Sequence, residues 1–509
     1  MRLTPRTLLP ADSVASCSAE TPCVPPIAEE FAAADFGDLR LENRLVKLAD
    51  ALAREPGGSL RAAMGRRSDE DGAYRFLGNA KVTVARILEP HIQQTLRRTT
   101  DCGDVIVVHD TSEFSYGGTK RRRGLGKLRG SSDQGFLAHF SLAVADDGSR
   151  RPLGLLGLHL WTRPELGSSR RDGKKLSGPE YAARTDKEST RWGQQVRVTG
   201  ELLGDTVRAC HVMDREADVF ELLAEMAEQN RRFVVRLARD RVARAELGDA
   251  AEKISALVAR AEDVAELEVP LSRRQSKSTP ASNETFPPRE ARIARLGFAA
   301  TTVQLRRPQY VRTGPAWLQV NVVHVHELNP PADVEPINWV LLTNESVERE
   351  QVLAVVDKYR VRWLIEEYFK ALKTGCGVER LELESFETLS NALALYVPMA
   401  WQMLLLRNLG RSQPNESALC ALTPIQVEVL GACGHIPFPA APTIRQAMQA
   451  VAALGGYKWT RRELAGPRDP NSKKREPGWR VLAWGMEKLL AYERGWTAAL
   501  AATAERVQK

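Results

Sequence analysis

Three acidic residues stand out by their surroundings. Asp110 follows the run VIVVH (105–109), and Asp214 follows RACHVM (208–213). Each run is short and largely apolar, so each acid is expected at the carboxyl end of a strand, where sheet proteins commonly gather ligands. Either acid could instead cap the next turn, because Asp110-Thr111-Ser112 and Asp214-Arg215-Glu216 are good turn chemistry. The third acid, Glu366, lies in DKYRVRWLIEEYFKALKTG. There Tyr359, Arg362, Glu366, Lys370 and Lys373 are spaced 3, 4, 4 and 3. On a regular helix they fall within an arc of about 80°. One face then carries an acid, three cations and a tyrosine. A solvated face with pairs such as Glu366–Lys370 is the plainer account, but it gives no reason for the tyrosine.

Joined, the three acids suit metal chemistry. Phosphoryl transfer on a nucleic acid uses two magnesium-like ions about 3.5–4 Å apart, one on the nucleophile and one on the leaving oxygen. Hard carboxylate oxygens hold such ions, and few are needed because magnesium keeps several waters. Cations on the same helix would hold phosphates that the acids alone repel.

These residues need a scaffold. VIVV reads as a buried strand, and GFLAHFSLAVA (135–145) and Leu153–Leu160 as further strands in an antiparallel meander. Lys120–Gly130 lies in its first connection. RACHVM is a strand, 218–228 a helix and FVVRL (233–237) the next strand, which makes a mixed sheet. About 241–335 reads as a β-rich insertion, broken by the polar stretch SRRQSKSTPASNETFPPRE. INWVLLT (337–343) is a strand, and 348–374 one long helix. Helical patterns flank this core. Leu41, Leu45, Val46, Leu48 and Leu52 mark a first helix ending at Pro56-Gly57-Gly58, and the last ~100 residues are mainly helical.

The expected divisions are a disordered leader at 1–26, a helical domain at 27–84, an α/β core at 85–410 and a helical C-terminal domain at 411–509. A chain of 509 residues can bury a large core. Its 43% apolar and 27% charged residues exclude a collagen-like, mostly disordered or disulfide-scaffold protein. Lys plus Arg number 72 against 64 Asp plus Glu, a net charge of +8 that permits a nucleic-acid partner without requiring one. Seven scattered cysteines lack a disulfide or zinc spacing and fit a reducing cytoplasm. His324 and His326 share a strand face but are too few for a metal site. The leader lacks a signal-peptide core. The most apolar run, ALALYVPMAWQMLLL, is shorter than the ~20 residues of a membrane span and reads as a core helix.

The residues resemble a known family. The chain is similar to the cut-and-paste DDE transposases of bacterial insertion-sequence family four, from about Ile27 to the C-terminal helices. The most specific motif is the Y-R-E-K signature, Tyr359-x2-Arg362-x3-Glu366-x6-Lys373. Supporting motifs are HDTSEFSY around Asp110, DREADVF around Asp214 and GAYRF near the N-terminus. The resemblance implies a ribonuclease-H-like mixed-sheet core, with Asp110, Asp214 and Glu366 as a catalytic triad holding two magnesium ions, for which manganese can substitute. It implies that Tyr359, Arg362 and Lys373 grip DNA phosphates and that Arg236 adds a basic group. Trp339 would stack beside a flipped base, and Arg40, Arg44 and Arg75 would contact transposon-end DNA. It also implies that the C-terminal helices form a homodimer in a synaptic complex.

The expected activity is therefore cleavage of transposon ends through a hairpin and joining of 3′ ends to target DNA. The expected location is the cytoplasm, on the nucleoid when DNA-bound, with no membrane partner. A catalytically silent end-binding inhibitor and a ribonuclease-H-like structure-specific nuclease are the competing readings. Three features depart from the family: the N-terminal extension, Glu113 beside Asp110 (solvent-facing by default), and the basic run Lys120-Arg121-Arg122-Arg123. That run reads equally as a DNA contact or a solvated loop.

Overall fold

A computed structural model describes residues 27–507 apart from 55–59, 119, 129–132, 164–169, 172–173, 176–189, 272, 274–287, 333 and 467–475. The expected leader, with Cys17 and Cys23, lies outside the described residues, as does most of the 272–290 loop. Along the chain come α1 (Leu39–Arg54), α2 (Leu60–Met64), α3 (Arg67–Leu77) and α4 (Val84–Cys102). The strands β1 (Asp104–Tyr116), β2 (Gly126–Lys127), β3 (Gln134–Ala145) and β4 (Pro152–Trp161) follow. Next are α5 (Thr190–Leu203), β5 (Arg208–Met213), α6 (Phe220–Glu228) and β6 (Arg232–Arg236). Then come β7 (Val242–Arg244), β8 (Glu252–Lys253), α7 (Ile254–Ala259), β9 (Asp263–Leu271), β10 (Arg292–Arg306), β11 (Trp317–Leu328) and β12 (Asn338–Thr343). The chain continues through α8 (Arg349–Val361), α9 (Trp363–Lys370), α10 (Phe386–Ser412), α11 (Pro424–Cys433), α12 (Ile444–Leu454), α13 (Arg461–Ala465) and α14 (Trp479–Val507).

The chain forms two compact units. Among the described residues, one comprises 103–110 and 170–365; the other comprises 27–102, 111–163 and 366–507. In the first unit, strands run in the order β8-β7-β10-β11-β12-β6-β5-β1, with β9 on β10. β1, β5 and β6 are mutually parallel neighbours, whereas β6, β12, β11 and β10 alternate in direction. The sheet is therefore mixed, as the sequence predicts. Val105 to Val108 are buried, as a continuous apolar run in a parallel strand must be. The core joins Met213, Phe220, Leu223 and Phe233 to Val303, Leu305, Val320 and Leu342. The expected insertion is thus no separate β body: its long strands extend the central sheet through β12, and it includes the helix α7.

The second unit holds the rest of β1 with β3, β2 and β4, and most of the helices. β3 is buried over almost its whole length. α10 is capped by Ser385, whose hydroxyl accepts from Thr388 N. It is long and apolar enough to cross a membrane, yet 94% of the qualifying stretch is buried within the protein, so it serves as the core helix that the sequence suggests. α12 and α14 approach backbone to backbone. A Cβ on Gly485 would overlap the Val451 carbonyl oxygen, and one on Gly455 that of Val481. One buried polar group stands out: Glu30 accepts from Arg98 Nη1 at 2.8 Å and pairs with His91 Nδ1, while His91 Nε2 accepts from Leu155 N at 3.1 Å.

Two expectations need correction. β1 does not end before Asp110; it runs on to Tyr116. Phe114 and Tyr116 are buried while Glu113 and Ser115 are less so. That two-residue alternation extends the strand. The helix expected over 348–374 is not continuous either. It is interrupted at Arg362, where Arg362 N donates to Tyr359 O and Ile365 N to Arg362 O. It then widens into a π turn over Ala371–Gly375. Such breaks depend on local hydrogen bonding that apolar spacing does not encode.

Candidate active site

In the first unit, β1 and β5 pair in parallel from Asp104↔Arg208 to Val108↔Val212, so each β1 residue faces the one 104 positions later. The same offset continued two residues brings Asp110 level with Asp214. Neighbouring strands lie about 4.8 Å apart, and residues at one register point to the same face. Two acids separated by 104 positions thus become neighbours through strand pairing alone.

Each carboxylate is already engaged. Asp110 Oδ2 accepts from Arg362 Nη1 at 2.9 Å. Asp214 caps the 3-10 turn Arg215–Ala217, its Oδ1 accepting from Glu216 N at 2.8 Å. The capping account of Asp214 and its place beside Asp110 therefore hold together. The tight turn between α8 and α9 places the Arg362 backbone where its side chain reaches Asp110.

Around the acids sits a group of cations and aromatic rings. Arg236 ends β6, and its guanidinium lies over the Trp339 ring, 5.5 Å from the centroid. Trp339 and Tyr359 meet edge to face, with centroids 5.5 Å apart and planes at 72°. Arg236 also hydrogen-bonds Tyr359. Burial, together with the charges of Arg215 and Arg362, pulls the Arg236 guanidinium below its ordinary pKa, and Tyr359 opposes this. Burial raises the Tyr359 hydroxyl above its usual value; Asp214 adds to that, while Arg362 and Arg236 act against it. Three guanidinium groups thus accompany two carboxylates, an arrangement that favours a bound anion such as a phosphodiester.

Trp339 is only 3% exposed. With Arg236 over its face and Tyr359 at its edge, a base could stack on it only after those neighbours moved. Among the described residues, its Nε1 has no hydrogen-bond partner.

In the second unit, Glu366 is half-buried in α9 and is that unit's first residue after the break in the chain. The adjacent Glu367 has a structural task. Burial opposes its ionisation, but Arg407, Lys370 and Arg411 outweigh burial and hold its carboxyl below the usual range. Lys370 is therefore drawn to Glu367, away from the shared arc expected of a regular helix. Lys373 donates to the Glu113 carbonyl, pairs with Glu379 at 3.5 Å and covers the Phe114 ring at 5.0 Å. Glu113, expected to face solvent, pairs with Arg163 at 2.6 Å. On α1, Arg40 is highly exposed and pairs with Asp38 at 3.0 Å. Arg44 shares Asp69 with Lys47, at 3.2 and 2.8 Å. Arg75 is exposed on α3.

Sequence reasoning missed Arg215, Arg163 and Lys47. Arg215 was the most accessible of these, since it directly follows Asp214 in DREADVF. Nothing local marked Arg163, whose role depends on a partner fifty residues away. His324 and His326 stack on β11 at 4.7 Å, and His326 Nε2 lies 3.4 Å from Asp263. None of the described cysteines, Cys102, Cys210, Cys376, Cys420 and Cys433, is in a disulfide.

Among the described residues, no three His, Cys, Asp or Glu side chains are gathered closely enough to hold a metal. The donor chemistry nevertheless fits a hard divalent ion. Asp110 and Asp214 offer carboxylate oxygens just beyond the paired stretch of β1 and β5, and the cation now held by Asp110 is a side chain that can be displaced.

Comparison with known proteins agrees with this picture. Residues 27–82 match the family model of the transposase DNA-binding domain, and residues 197–401 that of the transposase DDE domain. The chain belongs to the DDE transposases. Its mixed sheet is accordingly the ribonuclease-H-like core of the DDE domain, with helical regions before and after it. Among solved structures, it is similar to the piggyBac transposase in a synaptic complex with hairpin DNA, at 9% identity and a TM-score of 0.28. The match covers 65% of this chain and 57% of that one, and a likeness of that size carries no argument.

Proposed function

We propose that the protein is a cut-and-paste DNA transposase of the insertion-sequence-four type, which cleaves transposon ends through a hairpin and joins the 3′ ends to target DNA. What supports the reading is the β1–β5 pairing, whose offset extended two residues sets Asp110 level with Asp214, together with Arg362 on Asp110 and the Arg236–Tyr359 group near Asp214. Glu366, one helical turn beyond Arg362, is the third member of the proposed triad. Asp110, Asp214 and Glu366 would hold two magnesium ions, with manganese as a substitute. When bound, such ions activate a water or 3′ hydroxyl and neutralise charge on the leaving oxygen.

The chain's own residues supply the rest. Arg362 and Arg236 bind the scissile phosphate's neighbours and offset charge that builds on the phosphorus oxygens. Tyr359 donates its phenolic hydrogen to a phosphate oxygen. Lys370 and Lys373 would reach DNA phosphates only after leaving Glu367 and Glu379. Trp339 accepts a flipped base once Arg236 has turned to a phosphate. Arg40, Arg44 and Arg75 contact the end repeats within the DNA-binding domain, and two protomers pair to synapse two ends. The divisions at 27–84, 85–410 and 411–509 follow these tasks, and a cytoplasmic, nucleoid-associated location suits them.

Asp214→Ala should abolish magnesium-dependent end cleavage while leaving end binding largely intact, read on duplexes built from the sequence that flanks the gene. Cleavage at the wild-type rate by this variant would reject the triad.

A further inference from the structure

α9 carries two adjacent acids in different surroundings. Glu366 is half-buried, whereas Glu367 is buried. Successive helical residues point about 100° apart, so the two carboxylates leave α9 in different directions. Glu367 turns to α10. Its Oε1 accepts from Lys370 Nζ at 2.5 Å, and its Oε2 lies 3.9 Å from both Arg407 Nε and Arg411 Nη1. Arg407 and Arg411 are four residues apart on α10 and so share one face. Glu476, just ahead of α14, pairs with the same two arginines, 3.7 Å from Arg407 Nη2 and closer to Arg411 Nη2. The Arg407 guanidinium also covers the Trp479 ring, 4.4 Å from its centroid. Two arginines of α10 thus bridge two carboxylates, one on α9 and one at the approach to α14.

A second tie holds α9 to α10. The hydroxyl of the fully buried Tyr368 donates to the Val397 carbonyl at 3.0 Å. Val397 and Arg407 are ten residues apart, about 15 Å along the axis of a helix. Adjacent residues of α9 are therefore tied to widely separated points on one long helix, which restrains both the tilt and the rotation of the shorter one. Phe140 of β3 packs on α9 as well, edge-on to Tyr368 and Phe369 with centroids 5.8 and 5.3 Å apart. The π turn that follows α9 is seated on α10, since a Cβ on Gly375 would lie 3.0 Å from Met403 Cε. Packing alone would not call for ions here, because apolar residues of similar volume commonly replace a buried ion cluster without loss of stability. What an ionic tie adds is direction.

We infer that Glu367 is a positioning residue: its pairs with Arg407 and Arg411 fix the rotation of α9 and so aim the neighbouring Glu366 carboxylate for a divalent metal. This role rests on Glu366 belonging to the proposed triad. Lys370 can leave Glu367 for a phosphate without undoing the tie, because both arginines remain.

The test is manganese binding to the full-length protein, followed by electron paramagnetic resonance, beside single-turnover end cleavage and the melting temperature. Glu366→Gln is the reference for loss of the ligand itself. Glu367→Gln should weaken manganese binding about tenfold and slow cleavage by a similar factor, the low end of the range for groups that orient a metal ligand, with end affinity changed less than about twofold. Asn408→Ala controls for stability, since it removes a buried hydrogen bond to the Arg150 carbonyl from the residue next to Arg407. It should lower the melting temperature and leave manganese affinity at the wild-type value. Equal losses of manganese affinity in Glu367→Gln and Asn408→Ala, or no loss in Glu367→Gln, overturn the positioning role. If Glu367→Gln does not fold, Arg411→Gln takes its place; it should weaken manganese binding in the same direction by less, and an unchanged affinity overturns the role. If Glu366→Gln binds manganese and cleaves ends like the wild type, the triad falls and the positioning role with it. If Glu366→Gln loses both while Glu367→Gln keeps both, the positioning role alone falls.

Discussion

Arg362 makes two demands of one side chain. It neutralises Asp110 at 2.9 Å and adds to the positive potential felt by Arg236 and Tyr359. If it also stabilises the transition state, Arg362→Ala should slow end cleavage roughly 100-fold, the range for removing one preorganised donor, while end affinity changes less than about tenfold. Single-turnover cleavage and gel-shift titration separate the two quantities, and matched losses in both would make Arg362 a binding residue only. At this scale the acids were legible because strand-then-acid is a local pattern. The partners were not. No local feature joins Asp110 to Arg362, 252 positions away, or puts Trp339 against Tyr359. Those contacts arise from strand register and a helix break.

Elements that carry the proposed DNA contacts also show how spacing is controlled. On α3, Gly72 lets the Arg44 guanidinium of α1 lie against the helix; a Cβ there would come within 2.8 Å of it. Gly72→Ala should therefore push Arg44 away from Asp69 without unfolding α3, because alanine itself favours helix by up to about 1 kcal/mol. The expected result is a melting temperature held or raised, with the salt slope of end binding lowered by about 1. A slope equal to wild type would remove Arg44 from the interface. Element types in the core were legible from apolar runs and alternation. The break at Arg362 was not, because neither proline nor glycine marks it. Nor was the joining of the insertion to the main sheet, because pairing such as Leu341↔Arg236 is a tertiary choice.

Across the whole molecule, buried histidines add to the response to acid. His211 is fully enclosed in β5, 2.9 Å from His109, and burial pushes its pKa down to about 3, with Arg231 adding to the effect. The unfolded imidazole, near 6.5, takes up its proton first. Stability from this group is therefore complete above about pH 6.5 and falls progressively until about pH 3. Between about pH 7 and pH 5 His211 alone should remove about 2 kcal/mol, seen as a lower urea midpoint. His211→Gln should flatten that decline, and an unchanged pH profile in the variant would assign the acid sensitivity elsewhere. The buried His91, whose pKa burial also lowers, acts in the same direction.

The crossing of α12 and α14 has a separate consequence. Gly455 and Gly485 each lie against a backbone carbonyl of the opposite helix, where the first carbon of any side chain would collide. In a saturation library selected only for folded protein, these two positions should emerge as nearly monomorphic, though neither belongs to the proposed site. Invariance there would record how closely two helices must approach, and a reader of related sequences should not take it for chemistry.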